Sequence, residues 1–448
     1  EMFEVPEWAA NKVVYQIFPS RFAATEPVDK ELWYKAPITP MDDLHGNLRG
    51  IIEHMDDIQN LGIDVLYMTP IFQSNSCHKY DTTDYYQIDP SFGTTEDLKE
   101  LVQKAHERGM KVVLDAVYNH TGREFFAFAD ILENGEKSKY RDWYFIDGFP
   151  LKSEWGEIPN FKCFGYYGGM PKLNLKNPEV EKYITDVACY WIKECDIDGW
   201  RLDVGDEISH FFWKNFRKAV KAVKKDMLII GEIWHYAGDF LEGDEWDTVM
   251  NYPFYLNLID LLADEKITVS QFVQNLGYLK GRLNKNCYPL MWNLIDSHDT
   301  ARFLHLCNDN KKKQHLAAAF QLLLPGMPMI YYGDEYAMPG ANDPDCRRGM
   351  YWDEEYQDKE MYEWYKRLIQ VRKSHACIVE GELAGSVTED EEGTIVLIRK
   401  NGEEIIAMIF NCSSSAKKFN EYTQKYNLLT ENTFDGNVEG FDAAVIVL

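Results

Sequence analysis

The sequence has no Cys-x-x-Cys pair, and its nine cysteines are odd in number and scattered from position 77 to 412. That pattern excludes a zinc ribbon and a disulfide framework, and reads as free thiols in a reducing compartment. Basic residues are scarce against acidic ones, 47 to 73, which leaves a net charge of −26 over 448 residues. Such a surface repels a phosphate backbone and an anionic bilayer, so neither nucleic acid nor membrane is an expected partner. No apolar run is long enough to span a bilayer. The nearest, Leu316 to Tyr332, is interrupted by Gln321, Pro325, Gly326 and Pro328 and reads as a buried helix followed by a buried strand. The first residues lack the charged and apolar regions of a secretory leader, so a soluble cytoplasmic protein is the expectation. Internal repeats and low-complexity tracts are absent as well.

What is present is apolar and periodic. Hydrophobic residues make up 45 % and aromatics 14 %, enough for a large core and a hint of a ligand cleft. Short apolar runs recur at Val13–Phe18, Val65–Thr69, Val112–Ala116, Gly199–Asp203, Leu228–Glu232, Thr248–Tyr252, Leu290–Asp296 and Met327–Gly333. Helix-like stretches separate them; DLKELVQKAHERG, for example, has helical apolar spacing and a C-capping glycine, Gly109. Alternation of this kind implies a parallel sheet, and eight units predict an α/β protein with a closed (β/α)₈ barrel. Residues 121–172, between the third and fourth strands, are too many for a simple loop and predict an inserted subdomain. The barrel then comprises residues 1–120 and 173–376. After 376 the segments TIVLIRK, EIIAMIF and AAVIVL, separated by Asn-Gly and Asp-Gly turns, predict a C-terminal antiparallel β-sandwich domain over 377–448.

Polar residues collect where the strands end, which in such a barrel is the active-site face. Strand three runs out in Asp115-Ala-Val-Tyr-Asn119-His120, strand four in Arg201-Leu-Asp203, strand five in Glu232, and strand seven in Asp296-Ser-His298-Asp299. Alone, each has a plain structural use: a carboxylate after a strand caps a helix, and a single histidine is a hydrogen-bonded bystander. Converging on one rim, they match the needs of glycosidic cleavage, in which one carboxylate attacks and another, kept protonated, donates to the leaving oxygen. Arg201 and Asp203 share a strand face, so the cation is expected to keep Asp203 ionised. Ile230 and Ile233 flank Glu232 and are expected to raise its pKa for the acid role. Asp299 suits the holding of sugar hydroxyls and of oxocarbenium charge.

The segments DAVYNH, GWRLD, GEIWH and IDSHD resemble, in order and spacing, the conserved regions of the α-amylase superfamily, glycoside hydrolase family 13. The resemblance runs from VVYQIFPSRF to GMPMIYYGDE and so covers almost the whole chain. It implies an α-retaining double displacement, with Asp203 as nucleophile, Glu232 as general acid/base and Asp299 as transition-state stabiliser. It further implies that Arg201, His120 and His298 contact the sugar at the cleavage point and that Tyr80 is its stacking platform. The segment MPKLN, Met170 to Asn174, is similar to that of the neopullulanase, cyclomaltodextrinase and maltogenic amylase group. That likeness puts Glu207 and Trp234 on the acceptor side and Asp343 and Arg347 on the far donor side. The group's N-terminal β domain has no counterpart in this sequence, so dimerisation through it is not expected. Its calcium loop is not matched either, since Ala23-Ala-Thr-Glu26 and His45-Gly-Asn47 stand where acidic residues and glycines would suit a hard cation. No cofactor is expected, with calcium the one left open. The predicted substrate class is α-1,4-linked glucose oligomers: maltooligosaccharides, cyclodextrins, pullulan or starch, with α-1,6 cleavage and transfer also open. A glucan transferase or isomerase on the same barrel, and a non-catalytic sugar-binding barrel, are the alternatives.

Overall fold

Eight buried apolar segments pair side by side as parallel strands in the computed structural model, which describes residues 3–448. They are β1 (Val14–Ile17), β2 (Val65–Met68), β3 (Lys111–Ala116), β4 (Gly199–Leu202), β5 (Leu228–Gly231), β6 (Thr248–Asn251), β7 (Trp292–Asn293) and β8 (Met327–Tyr331). Neighbours around the closed barrel are neighbours in sequence, and β8 returns to pair with β1. Val14, Tyr67, Val113, Ile230, Met250, Trp292 and Met329 fill the interior, while Tyr15, Leu66, Val112, Leu114 and Ile330 face the surrounding helices. Both faces are dry, which is why these strands read as continuous apolar runs. The shortest strand is β7, two residues where the sequence pattern predicted Leu290–Asp296. Tyr288–Leu290 forms a 3₁₀ turn, and Pro328, opposite Asn293, has no N–H with which to extend the ladder.

Local signals start and stop the helices between strands. Thr94 and Asp97 form a reciprocal capping box on Thr95–Glu107, and Gly109 follows in the left-handed region at φ +73°. Asn177 caps Pro178–Cys195, with the proline in the first turn where no N–H is needed. The segment expected to be a buried helix then strand is the helix Lys311–Leu323 followed by β8. Within it the buried Gln321 amide bonds the carbonyls of Asn293 and Met329.

Three additions shape the barrel. A hairpin of Phe72–Ser74 with Thr82–Ile88 follows β2. Between β3 and β4 lies the insert, with helix Phe126–Asn134 and isolated bridges such as His120–Lys172 and Tyr144–Leu173. At the C-terminus β9 (Glu382–Glu389), β10 (Thr394–Asn401), β11 (Glu404–Asn411) and β12 (Asp442–Val447) make an antiparallel sheet, extended by Tyr426–Asn427 and Asn432–Thr433. One face of this sheet packs on the barrel helices, with Phe410 stacked on Phe320 at 4.3 Å. The other face covers Phe419, Phe434 and Val438, so its second layer is a two-stranded ribbon, Lys417–Lys418 with Asn437–Val438, and irregular chain.

The barrel floor is closed by one cation. Arg372, on helix Lys359–Ser374, is buried and gives Nη1 to the carbonyls of Leu322 and Leu324 at 2.8 and 2.9 Å. Its Nη2 bonds the carbonyls of Asn11, at 3.2 Å, and Gly326. Replacing it leaves several buried acceptors unpaired, each worth about 1–3 kcal/mol. Arg372→Leu is therefore expected to lower stability by about 3–5 kcal/mol, read from the shift in the urea midpoint. Arg372→Lys, with one point donor instead of a fork, should fall in between.

Candidate functional site

The alternation of a strand decides what enters the site. Asp115 on β3 lies beside Arg201 on β4 in the ladder, and both point into the barrel mouth with Asp203 two residues on. Arg201 has no exposed surface and is surrounded by carboxylates. Its Nη1 donates to Asp115 Oδ1 and Oδ2 at 3.0 and 3.2 Å and to Asp203 Oδ1 at 3.0 Å. Its Nη2 lies 2.9 Å from Glu232 Oε2. One guanidinium thus links the ends of three successive strands.

Directly after Asp203 the chain turns sharply. Val204 takes a left-handed conformation, φ +41° and ψ 44°, which a β-branched side chain disfavours. The turn aims the Val204 N–H at Glu232 Oε2, 2.9 Å away. Trp234 Nε1 donates to the other oxygen at 3.2 Å, and its ring lies flat on Tyr252 at 3.7 Å.

A second chain of bonds runs behind the carboxylates. Tyr67 and Tyr80 both donate their hydroxyls to Asp115 Oδ2, at 2.6 and 2.8 Å. With its proton so used, Tyr80 Oη accepts from His298 Nε2 at 2.7 Å. That leaves His298 Nδ1 to accept from Gln16 Nε2 on β1, also at 2.7 Å. Tyr80 itself sits in the hairpin loop, which Asp81 fixes by accepting from Ser74 and Ser76 and which the buried Lys79–Asp89 pair braces at 3.1 Å. His120 Nε2 lies 2.9 Å from the Tyr80 carbonyl, and Phe164 of the insert stands over its ring.

These groups surround a cavity of about 430 Å³. Tyr80, His120, Asp203, Glu207, Glu232, Trp234, Asp299, Asp343 and Arg347 all line it. Arg347 reaches across the rim, 3.0 Å from Asp343 Oδ1 and 3.6 Å from Asp299 Oδ1, with Nε on the His298 carbonyl at 2.9 Å. Arg201 and His298 are the exceptions to the sequence expectation. Both are fully buried beneath the floor and reach the cavity through Asp203, Glu232, Tyr80 and Asp299.

The electrostatics correct a second expectation. Burial would raise Glu232, but Arg201, the Val204 N–H and the Trp234 N–H outweigh it and hold this carboxyl below its usual value. Asp203 has one donor. Burial and then the charge of Glu232 push it well above the carboxylate range despite Arg201. The direction at Glu232 is thus the reverse of the one expected from its flanking isoleucines. Burial and the Glu232 charge also raise Asp299, to about 7. Burial lowers His120 to about 4 and, with Arg347 and Arg201, puts His298 well below its usual value, so both imidazoles are neutral at pH 7.

Several participants escaped the sequence reading. Asp115 opens a quoted motif but was not assigned to the site; Tyr67 and Gln16 are inward-facing strand residues whose partners lie far away in sequence. Lys172, inside MPKLN, gives Nζ to Asn119 Oδ1 and to the Glu207 carbonyl, both at 2.7 Å. An ammonium thus occupies the Asn119 side-chain oxygen. At the loop where calcium was weighed, Asn47 caps helix Leu48–Glu53 through Gly50 N at 2.7 Å and bonds Thr25 Oγ1 at 3.0 Å. Among the described residues no three His, Cys, Asp or Glu side chains form a metal-binding group.

Comparison with known proteins agrees with this geometry. The catalytic-domain model of the α-amylase family matches residues 16–381. A cyclomaltodextrinase of Geobacillus thermopakistaniensis is 46 % identical over 420 residues, 93 % of this chain and 71 % of that protein. Neopullulanase 2 of Thermoactinomyces vulgaris is 43 % identical over 417 residues, 92 % and 71 % of the two chains. Among solved structures, the cyclic α-maltosyl-(1→6)-maltose hydrolase of Arthrobacter globiformis superimposes with a TM-score of 0.90 at 36 % identity, covering 99 % of this chain and 100 % of that one. With a family model spanning most of the barrel and relatives this similar, the chain belongs to the α-amylase family and is a glycoside hydrolase.

Proposed function

We propose that this enzyme hydrolyses α-1,4-linked glucose oligomers of the maltooligosaccharide and cyclodextrin type by a retaining double displacement. The observation that carries the proposal is the shared guanidinium: Arg201 binds Asp203 and Glu232 at once, which keeps the two carboxyl groups close, in keeping with the ~5 Å gap of retaining enzymes. Asp203 attacks the anomeric carbon while Glu232 gives its proton to the glycosidic oxygen, the C–O bond breaks, and a glycosyl ester remains on Asp203. Glu232 then takes a proton from water, whose oxygen attacks the same carbon and releases Asp203. A sugar hydroxyl in place of that water gives transfer, and we place Glu207 and Trp234, which line the cavity, beside that hydroxyl.

The acid step needs a proton on Glu232, whereas Arg201 and the N–H donors of Val204 and Trp234 favour the Glu232 anion in the free site. Substrate supplies the difference: an anomeric carbon against Asp203 favours its anion, and a glycosidic oxygen against Glu232 offers the proton an acceptor. The two groups therefore titrate as a pair carrying one proton in the active form. Asp299, raised to about 7, lines the same cavity and in its ionised form stabilises positive charge developing on the sugar. The Lys172 ammonium supports docking of the insert without a divalent cation, and nine unpaired cysteines support a reducing, cytoplasmic setting.

Product profiles on maltotriose, β-cyclodextrin, pullulan and soluble starch test the reading. Cleavage with retention at the anomeric carbon is expected, with cyclodextrin preferred to starch, and Asp203→Asn should cut kcat on the order of 10⁴-fold. Inversion of configuration, or full activity in the variant, would sink it. Trp234→Phe keeps the ring but removes an N–H from the Glu232 carboxylate, so the pair should hold its proton more tightly. The alkaline limb of kcat/KM, which reports loss of that proton, is then expected at higher pH than in the wild type; a limb that stays or moves down refutes the assignment. EDTA should leave turnover unchanged, while Lys172→Met, which strips the donor from Asn119 and Glu207, should lower both turnover and the thermal midpoint. Activity lost to EDTA and restored by calcium would overturn the metal-free reading.

A further inference from the structure

A groove of about 330 Å³ lies outside the catalytic cavity, walled by helix Tyr252–Leu258, helix Val269–Arg282 and Tyr236 of the loop after β5. It holds an unusual amount of bare ring and aliphatic surface: Tyr278 is 65 %, Leu256 46 % and Tyr236 41 % exposed. Singly, exposed aromatics mean little. Here the two tyrosines are held in place by Arg282, whose guanidinium sits 4.1 Å from the Tyr236 ring and 4.9 Å from the Tyr278 ring. Arg282 Nη1 donates to Tyr278 Oη at 2.8 Å, and Tyr236 Oη donates to the Arg282 carbonyl at 3.2 Å. A surface tyrosine left to itself would sample several rotamers. These are held by the cation before any ligand arrives and remain partly exposed. Asp260 and Asn275 stand among the ring and aliphatic surfaces as hydrogen-bonding groups.

The groove adjoins the reaction site. Trp234, which lines the catalytic cavity, lies two residues before Tyr236 and rests on Tyr252, the first residue of the helix whose Pro253 and Phe254 wall the groove. The two concavities are therefore linked through the Trp234–Tyr252 stack and the chain that runs on from each ring. A pyranose ring has a flat C–H face and a rim of hydroxyls, and pinned rings edged by a carboxylate and an amide suit that shape. Net charge −26 makes an anionic occupant a poor match.

We propose that this groove is a remote acceptor-side subsite that stacks glucose units of a longer α-glucan after the chain has passed Trp234. The proposal rests on the α-glucan reading above and specifies where the far end of such a substrate lies. Ring stacking is worth a factor of roughly three to ten per contact. In Tyr278→Ala the ratio of kcat/KM on a short amylose to that on maltotriose is expected to fall roughly fivefold, mainly through KM. Tyr278→Phe, which keeps the ring, should restore most of the ratio. Titration calorimetry in an Asp203→Asn background gives a readout free of turnover: short amylose should bind roughly fivefold more weakly when Tyr278→Ala is added. Equal binding with and without Tyr278, or an unchanged ratio, overturns the groove. So does a dimer that dissociates in Tyr278→Ala without any change in glucan binding, since a second copy would then be the occupant. Failure of the wild type to cleave any α-glucan overturns the underlying reading instead, and the calorimetry still decides the groove.

Discussion

A fully buried guanidinium facing three carboxyl groups is the constraint around which the rest of this molecule is arranged. An ionised arginine with no water around it is stable only where its charge and its fork are answered, and leaving one partner out would cost several kcal/mol. The barrel answers it by bringing the ends of β3, β4 and β5 together in register. In return, the Arg201 fork sets the positions of Asp203 and Glu232 more tightly than loop packing would. The tight turn at Val204 serves the same end, since a backbone donor for Glu232 is available only if the chain reverses at once after Asp203.

Around that centre the polar side chains form relays, not isolated pairs. Gln16, His298, Tyr80 and Asp115 come from four separate stretches of sequence, and each has its single proton or lone pair assigned by the next. Such a relay fixes tautomers: His298 has no freedom to choose which nitrogen carries hydrogen while Tyr80 donates to Asp115. The neutral imidazoles follow from burial, which disfavours a charged ring, joined at His298 by the guanidinium charges of Arg347 and Arg201.

The barrel was legible because strands buried on both faces leave continuous apolar runs, and the carboxylates of the cavity because Asp203, Glu232 and Asp299 lie at or just beyond the ends of those runs. Less was legible where structure is set by neighbours. The edge strand β9, with the sequence ELAGSVTE, is mostly exposed and carries no apolar signature, although its partner TIVLIRK was plain. The hairpin that presents Tyr80 is ordered by Asp81 and Lys79, not by its own pattern. Flanking isoleucines pointed to a raised Glu232; the Arg201 charge, with the N–H groups of Val204 and Trp234, outweighs burial there, and only the folded chain brings these together. Lys172 was quoted as part of a motif, yet nothing in MPKLN says that its ammonium reaches Asn119.

That lysine also changes the kind of equilibrium that holds the insert over the cleft. A bound ion is a separate solute, and its occupancy follows its free concentration. A cation carried on the chain is already present at an effective concentration set by its tether, and dilution cannot remove it. Closure of the wall that carries Phe164 and Met170 is thereby an internal property of one polypeptide. The Lys172 contact varies with temperature and with the protonation of a partly buried amine.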